Sequence, residues 1–378
     1  MSDIKIREID NQTDKMLFIK FPWKIYKGNP NWVPPLIFDV RNNLDPKKNP
    51  FFDHAEVKYF LAYKDDRIAG RIAGIINDNH NKFYNDKTGF WGFFECIDDV
   101  ETAGKLFAAV NAFLKDKGMD LMRGPVNPST NDEIGLLVNA FDKPPVALMT
   151  YNPEYYINLV ESNGHVKAKN LFAYLVSKDT IAVNRKAMDK LKRISDMVLK
   201  KENIKIRKIN MKDFENELLR VMEVYNKAWE DNWGFVPMTD DEFKHIAKMF
   251  KAIIDKDLVF FAEAGGKPVG FSLAFPDVNQ ALIKLNGRLF PFGIFKFLSA
   301  KKKINIMRML TMGVITEYQR KGIDAVFVQN TIDEGLAKGY FGAEISWILE
   351  DNIPMVRTAV NLGADKYKTY RIYDKKIV

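Results

Sequence analysis

A single cysteine in 378 residues excludes an internal disulfide and agrees with a reducing compartment. That residue, Cys96, lies in the apolar run Trp91 to Ile97, which marks a buried structural thiol in preference to a nucleophile. Only four histidines occur, His54, His80, His165 and His245, with no ligand spacing among them, which argues against a zinc centre. No apolar segment approaches the roughly 18 to 20 uncharged residues that span a bilayer. Met1 to Glu8 alternates charges where a signal peptide would be apolar, so the expectation is a cytoplasmic protein without a transmembrane segment. Low-complexity tracts are missing too, and 47% apolar with 28% charged residues is the composition of a packed globular chain.

What is present is length, basic charge and internal repetition. The length predicts two domains. The formal net charge of +8 is spread along the whole chain, a pattern that suits simple solubility or a phosphate-bearing cofactor at least as well as DNA, RNA or an anionic membrane.

Two hairpins are written in similar form. Val57 to Tyr63 and Ile68 to Ile76 flank Lys64-Asp65-Asp66-Arg67, while Leu258 to Ala264 and Val269 to Phe275 flank Gly265-Gly266-Lys267-Pro268. Gly70 and Gly270 follow equivalent turns, and Asn152 and Asn352 are read as opening equivalent helices, each pair 200 positions apart. Helix-ending Gly118 and Gly339 stand 221 apart, so each copy carries an insertion. An internal duplication of a roughly 190-residue unit explains this order. It predicts domains at residues 1–180 and 204–378 joined by a connecting helix or linker at 181–203. The last strand of each copy is expected at Ala168 to Val176 and at Lys366 to Tyr373, and further helices at Lys15 to Tyr26 and Asn152 to Ser162.

The insertion of the first copy, Gly124 to Glu133, is small, polar and acidic. It reads as a binding loop offering Asn127, Asn131 and Glu133, or equally as a capped turn that starts a helix at Ile134. That of the second copy, Leu282 to Asn305, mixes Phe290, Phe292, Phe295 and Leu298 with Lys296 and Lys301 to Lys303. It is read as a basic amphipathic lid, a membrane-touching patch, or a helix packed on its own core.

The stretch with most chemical content is Met312 to Ala325. An apolar run ends in Gln319-Arg320-Lys321-Gly322-Ile323-Asp324-Ala325, followed by an amphipathic helix whose first N–H groups lack partners, a ready site for pyrophosphate. The first copy has Asp98-Asp99-Val100-Glu101-Thr102 at the equivalent place, acidic and without glycine, so it is not expected to hold an anion.

A strand, a basic Gln-x-x-Gly turn, a helix, a further strand and an Asn-initiated helix ending in Leu362-Gly363 resemble the GNAT superfamily of acyl-CoA N-acyltransferases. The whole resembles a tandem-domain member, two GNAT-like domains that are each a twisted mixed α/β sheet flanked by helices, similar in plan to the peptidoglycan aminoacyltransferases of the FemABX group. The resemblance implies acetyl-CoA or another acyl-CoA as donor, a small-molecule or peptide amine as acceptor, and direct attack in a ternary complex. It implies cofactor contacts from Val314, Ile315, Thr316, Gln319, Arg320, Lys321, Gly322, Ile323, Asp324, Ala325 and Asn352. The tyrosine acid of the family falls near Ala359, which leaves Tyr367 or Tyr370 to replace it, and Glu317, Glu344 and Glu350 are the candidate bases. Acceptor contacts are implied for the first two helices, where Trp229, Asn232 and Trp233 stand. Two alternatives remain: aminoacyl transfer from charged tRNA, and a binding protein that kept the fold without the chemistry.

Asp324 stands where the family carries a small residue, and its charge opposes a bound pyrophosphate. Asp324→Ala is expected to tighten acyl-CoA binding about twofold to fivefold, read by titration calorimetry.

Overall fold

The computed structural model describes residues 3–201, 204–230, 232–251 and 253–377. They form two compact units. Unit 1 comprises Met1–Leu171, Ala281–Phe297 and Lys368–Val378; unit 2 comprises Phe172–Gln280 and Leu298–Tyr367.

In unit 1 the strands Ile4–Glu8, Ala55–Lys64, Arg67–Asn77 and Thr88–Cys96 run antiparallel in that order, and Leu121–Gly124 then joins Thr88–Cys96 in parallel. The hairpin turn has both central residues left-handed, Asp65 at φ 50° and Asp66 at φ 60°, the twist that a two-residue connection requires. Helix Val100–Asp116 lays Leu106, Val110, Phe113 and Leu114 on the sheet. It lies so close that a Cβ on Gly74 would stand 2.8 Å from the Phe113 ring.

Unit 2 repeats the plan. Ile204–Lys208, Val259–Ala264, Lys267–Pro276 and Ile306–Val314 are antiparallel neighbours, and Gly342–Leu349 pairs with the last of them in parallel. Its hairpin turns on Gly265 and Gly266, at φ 56° and 79°. Both units are therefore mixed α/β sheets of one kind. Among the described residues no helix is long and apolar enough to cross a membrane, and no cluster of metal-ligating side chains occurs.

The final strands are exchanged between the copies, contrary to the expectation from chain order. Strand Val166–Ser177 begins in unit 1, but Phe172 to Ser177 belong to unit 2 beside Gly342–Leu349. The last strand, Asp365–Lys376, enters unit 1 from Lys368 onward and pairs Tyr373 with Gly124 and Tyr370 with Leu137. Side chains fix this docking. Arg123 donates Nε and Nη2 to the two oxygens of Asp374 at 2.8 Å each, and the fully buried Lys368 donates to Pro144 O at 2.6 Å.

Three local expectations are corrected as well. The predicted helix from Lys15 breaks at Phe21, giving Gln12–Lys20 and a single turn Pro22–Ile25, because Pro22 begins a helix better than it continues one. Asn152 opens no helix. Its buried amide accepts from Leu137 N at 2.7 Å and donates to Leu137 O at 3.1 Å, and the helix after it is only Tyr156–Glu161. No helix starts at Ile134 either; Glu133–Ile134 pairs with Val126–Asn127 as a small ribbon, and Leu136–Leu137 is a strand.

Unit 1 buries two imidazoles, His80 among Tyr84 and Phe90, and His165 among Trp91 and Phe107. Burial pushes both down to about 4, opposed at His80 by Asp86 and reinforced by Arg123 there and by Lys375 at His165. In the unfolded chain they titrate near 6.5. Between about pH 6.5 and about pH 4 the unfolded state therefore binds more protons, so stability falls as pH drops through that window. Urea melts of the full-length protein are expected to show a lower midpoint at about pH 5 than at about pH 7, and His165→Phe is expected to flatten part of that slope.

Candidate functional site

In unit 2 the central strand Ile306–Val314 and its parallel neighbour Gly342–Leu349 are paired only from Ile306↔Gly342 to Met309↔Ile345. Beyond that point they part. The register against Lys267–Pro276 shifts there too, with Ala274 opposite Met309 and Leu273 opposite Thr311, a bulge at Leu310 that bends the strand as the ladder ends. Ile315 donates its N–H to Val269 O at 3.0 Å, away from the gap. Successive strand amides point to opposite sides, so those of Met312 and Val314 face the gap and that of Ile315 does not. The Val314 carbonyl accepts from Gln319 Nε2 at 3.2 Å, which ties the start of the basic turn to the strand.

Trp229 roofs this strand. It stacks on Tyr225 at 4.9 Å, and a Cβ on Gly313 would stand 2.1 Å from its ring. Among the proposed acceptor residues Trp229 thus reaches the strand itself. Asn232 shapes the following turn, donating to Trp229 O at 2.8 Å and accepting from Phe235 N at 3.1 Å, and Trp233 lies half-buried beside it.

After Ile315 the chain makes one tight turn, Thr316–Tyr318, and then enters helix Ile323–Ala337 through Arg320 at φ 60° and Gly322 at φ 83°. The N–H groups of Ile323, Asp324 and Ala325 have no acceptor within the helix. Arg320, Lys321 and Asp324 are exposed, with Lys321 Nζ 4.4 Å from the Tyr318 ring centroid. Exposed cations beside unpaired helix amides fit a pyrophosphate. Ile323 is different in kind: it is 1% exposed and packs with Val198 and Phe327, so its side chain anchors the helix. Gly322 is crowded from the same direction, since a Cβ there would lie 2.9 Å from Val198 and 3.1 Å from Ile194 of helix Arg185–Lys201.

Where the strands part, unit 2 buries a polar cluster. Glu344 is fully buried and accepts from Ser346 Oγ at 2.5 Å and from the Tyr367 hydroxyl. Arg308, also fully buried, donates Nε to Ser346 Oγ at 3.1 Å and Nη2 to Ser346 O at 3.2 Å. Tyr367 and Glu344, separate candidates in the sequence, are thus hydrogen-bonded partners. Arg308 and Ser346 escaped sequence reasoning, although an arginine between Met307 and Met309 on an apolar strand was a signal. A half-buried hydroxyl joined to a buried carboxylate can pass a proton inward. Glu317 instead sits exposed in the tight turn, and Glu350 follows the end of the partner strand. Asn352 caps helix Ile353–Asn361 by accepting from Met355 N at 3.3 Å.

Unit 1 splits at the corresponding place, but its gap is filled by its own chain. Thr88–Cys96 and Leu121–Gly124 pair only from Thr88↔Leu121 to Phe90↔Arg123. Phe93 N donates to Asn127 Oδ1 at 2.6 Å, and a Cβ on Gly92 would stand 1.7 Å from Val126 O. Asn127 therefore completes the fold where it was expected to meet an acceptor. Asn131 donates its backbone N–H to Ser129 Oγ at 3.1 Å, and Glu133 pairs with Asn127 in the small ribbon. The acidic turn is a helix cap, Asp99 accepting from Thr102 N at 3.1 Å. Below it Tyr156 donates to Glu95 at 2.7 Å with Arg71 alongside at 3.6 Å; burial raises the Glu95 carboxyl, partly offset by Arg71. Burial likewise raises the Cys96 thiol, which makes it unreactive.

No protein-family model matches the chain. Protein YghO of Escherichia coli (strain K12) is 36% identical over 378 residues, covering 98% of this chain and 95% of that protein. The bacterial ceramide synthase of Caulobacter vibrioides (strain NA1000 / CB15N) is 36% identical over 383 residues, covering 100% and 98%. Among solved structures, the tandem GNAT protein from the clavulanic acid biosynthesis pathway aligns with a TM-score of 0.58 at 10% identity, over 100% of this chain and 99% of that one. A GCN5-related N-acetyltransferase from Sphaerobacter thermophilus aligns with a TM-score of 0.50 at 12% identity, over 98% and 96%. At such identities the structural likenesses speak for the fold alone.

Two substitutions separate the backbone role of the basic turn from its charge. Gly322→Ala forces a left-handed alanine against Val198 and is expected to cost about 1 to 3 kcal/mol, seen in thermal melts. Arg320→Gly relieves a left-handed non-glycine residue, so stability is expected to change by less than about 1 kcal/mol. Its acyl-CoA affinity, measured by calorimetry, is expected to fall about tenfold.

Proposed function

Because this chain belongs to the family of GNAT-fold acyltransferases that includes protein YghO and the bacterial ceramide synthase, we propose that it transfers a long acyl chain from acyl-CoA to the primary amine of a long-chain amino alcohol of the sphingoid type. The observation that carries this reading is the 36% identity to the ceramide synthase over the full length of both chains, since a ceramide is the amide of such a base. Unit 2 is the proposed catalytic unit. Its cationic turn and open strand gap suit a pyrophosphate and a thioester arm, whereas in unit 1 the matching gap is filled by Asn127 and Val126.

In the proposed reaction the neutral amine nitrogen attacks the thioester carbonyl, the C–N bond forms, the C–S bond breaks, and the CoA thiol leaves with a proton. Donor binding supplies the activated acyl group. Exposed Arg320 and Lys321, with the free helix amides, would hold the pyrophosphate. The gap-facing N–H groups of Met312 and Val314 would polarise the carbonyl oxygen. Tyr367, on the buried Glu344 carboxylate, would take the amine proton or return one to the thiolate.

The test is an assay by mass spectrometry with sphinganine and acyl-CoA donors from acetyl to palmitoyl. The expected product is an N-acyl long-chain base with stoichiometric release of free thiol, favoured by long donors. Tyr367→Phe is expected to lower kcat about a hundredfold with little change in donor KM. Transfer of acetyl groups to peptide or small polar amines, with none to sphinganine, would replace the proposed acceptor and donor chain length.

A further inference from the structure

The second insertion carries apolar surface that neither unit covers. Phe290, Phe292 and Phe295 are 74%, 73% and 70% exposed, gathered at the tip of one short loop and the helix start that follows. Isolated exposed phenylalanines are ordinary, but three within six positions form a patch.

The base of that loop is held firmly in unit 1. Asn286 Oδ1 accepts from Trp23 Nε1 at 2.9 Å, Gly287 O accepts from Ile37 N at 3.1 Å, and Leu285 is buried. Gly287 sits at φ 73° with its missing Cβ only 2.4 Å from the Trp23 ring, a contact that any side chain would break. The own-core reading of this segment is therefore corrected for residues 281–297, which pack on the first unit. An ordered base and an uncovered aromatic tip are what an insertion device requires.

Charge identifies the occupant. Lys284, Arg288 and Lys296 flank the tip in the sequence and are exposed, Lys301, Lys302 and Lys303 follow, and from Val278 to Thr316 the sequence contains no aspartate or glutamate. Bulky apolar side chains on a stretch whose only charged side chains are cations match the headgroup boundary of an anionic phospholipid bilayer, where rings enter the acyl edge and lysines meet phosphate. A protein partner would ordinarily be met by charges of both signs. We propose that the tip formed by Phe290, Phe292 and Phe295 docks unit 1 on an anionic bilayer surface.

The proposal stands apart from the acyl-transfer reading, and its test uses neither acyl donor nor acceptor. Full-length protein is sedimented with vesicles of phosphatidylcholine alone or phosphatidylcholine mixed with phosphatidylglycerol. Wild type is expected to bind the anionic vesicles and to lose binding at high salt. The combined variant Phe290→Ser, Phe292→Ser and Phe295→Ser is expected to bind at least about tenfold more weakly. Phe292→Cys labelled with an environment-sensitive dye is a second readout that needs no loss of packing, and Cys96 is buried away from the label. Its emission is expected to shift to the blue with anionic vesicles and to be shielded from an aqueous quencher. No binding by wild type, equal binding by the triple variant, or no dye shift would overturn the proposal. So would a wild-type dimer that the triple variant dissolves without any vesicle binding.

Discussion

A sheet whose parallel strands separate leaves backbone N–H and C=O groups that must find other partners, and both units are organised around that need. In unit 1 the need is met internally: Asn127 accepts from the Phe93 amide, and the Val126 carbonyl crosses Gly92 closely enough that only glycine fits. In unit 2 the same rupture at Met309 and Ile345 stays open along Met312 to Val314. It is bordered by Trp229, the basic turn and the Arg308, Glu344, Ser346 and Tyr367 cluster. One copy thus closes its gap with its own chain, while in the other the strand pairing ends at Met309 and Ile345 beside the basic turn's strand. Duplication followed by such closure accounts for two similar sheets with a single candidate site.

Each unit also buries an arginine and a glutamate near its split, each glutamate joined to a tyrosine, and burial of charge is costly unless every partner is in place. The partners differ. In unit 1 the Glu95 carboxyl meets Tyr156 and Arg71 within a packed aromatic core, while in unit 2 the half-buried Tyr367 joins Glu344 to the surface. The first arrangement suits structure and the second suits proton movement. This is why the proposed proton transfer falls to Tyr367 and not to Tyr370, whose ring is fully buried.

Much of the fold was legible because its signals are local. Asp65-Asp66 and Gly265-Gly266 announce their turns through the backbone they can adopt, and Asp99 and Asn352 act as caps through their own side chains. The basic turn was visible for the same reason, since Arg320, Lys321 and Gly322 are adjacent. Asn152 shows the limit: by composition it is as good a cap as Asn352, yet a buried strand brought beside it captured its amide. Ile323 shows the same limit: by its place after Gly322 it reads as ligand-facing, yet its side chain packs against Val198 of helix Arg185–Lys201.

By itself the sequence determined the duplication, the hairpins, the cationic turn and the absence of acid around the aromatic insertion, because each depends on residues close in the chain. Only tertiary structure decided that the last strands change units, that Asn127 fills one gap, and that Arg308 and Ser346 join Glu344 and Tyr367. The physical reason is that a strand's pattern fixes its faces but not its neighbour. A buried polar group is explained only by the partner that distant chain supplies.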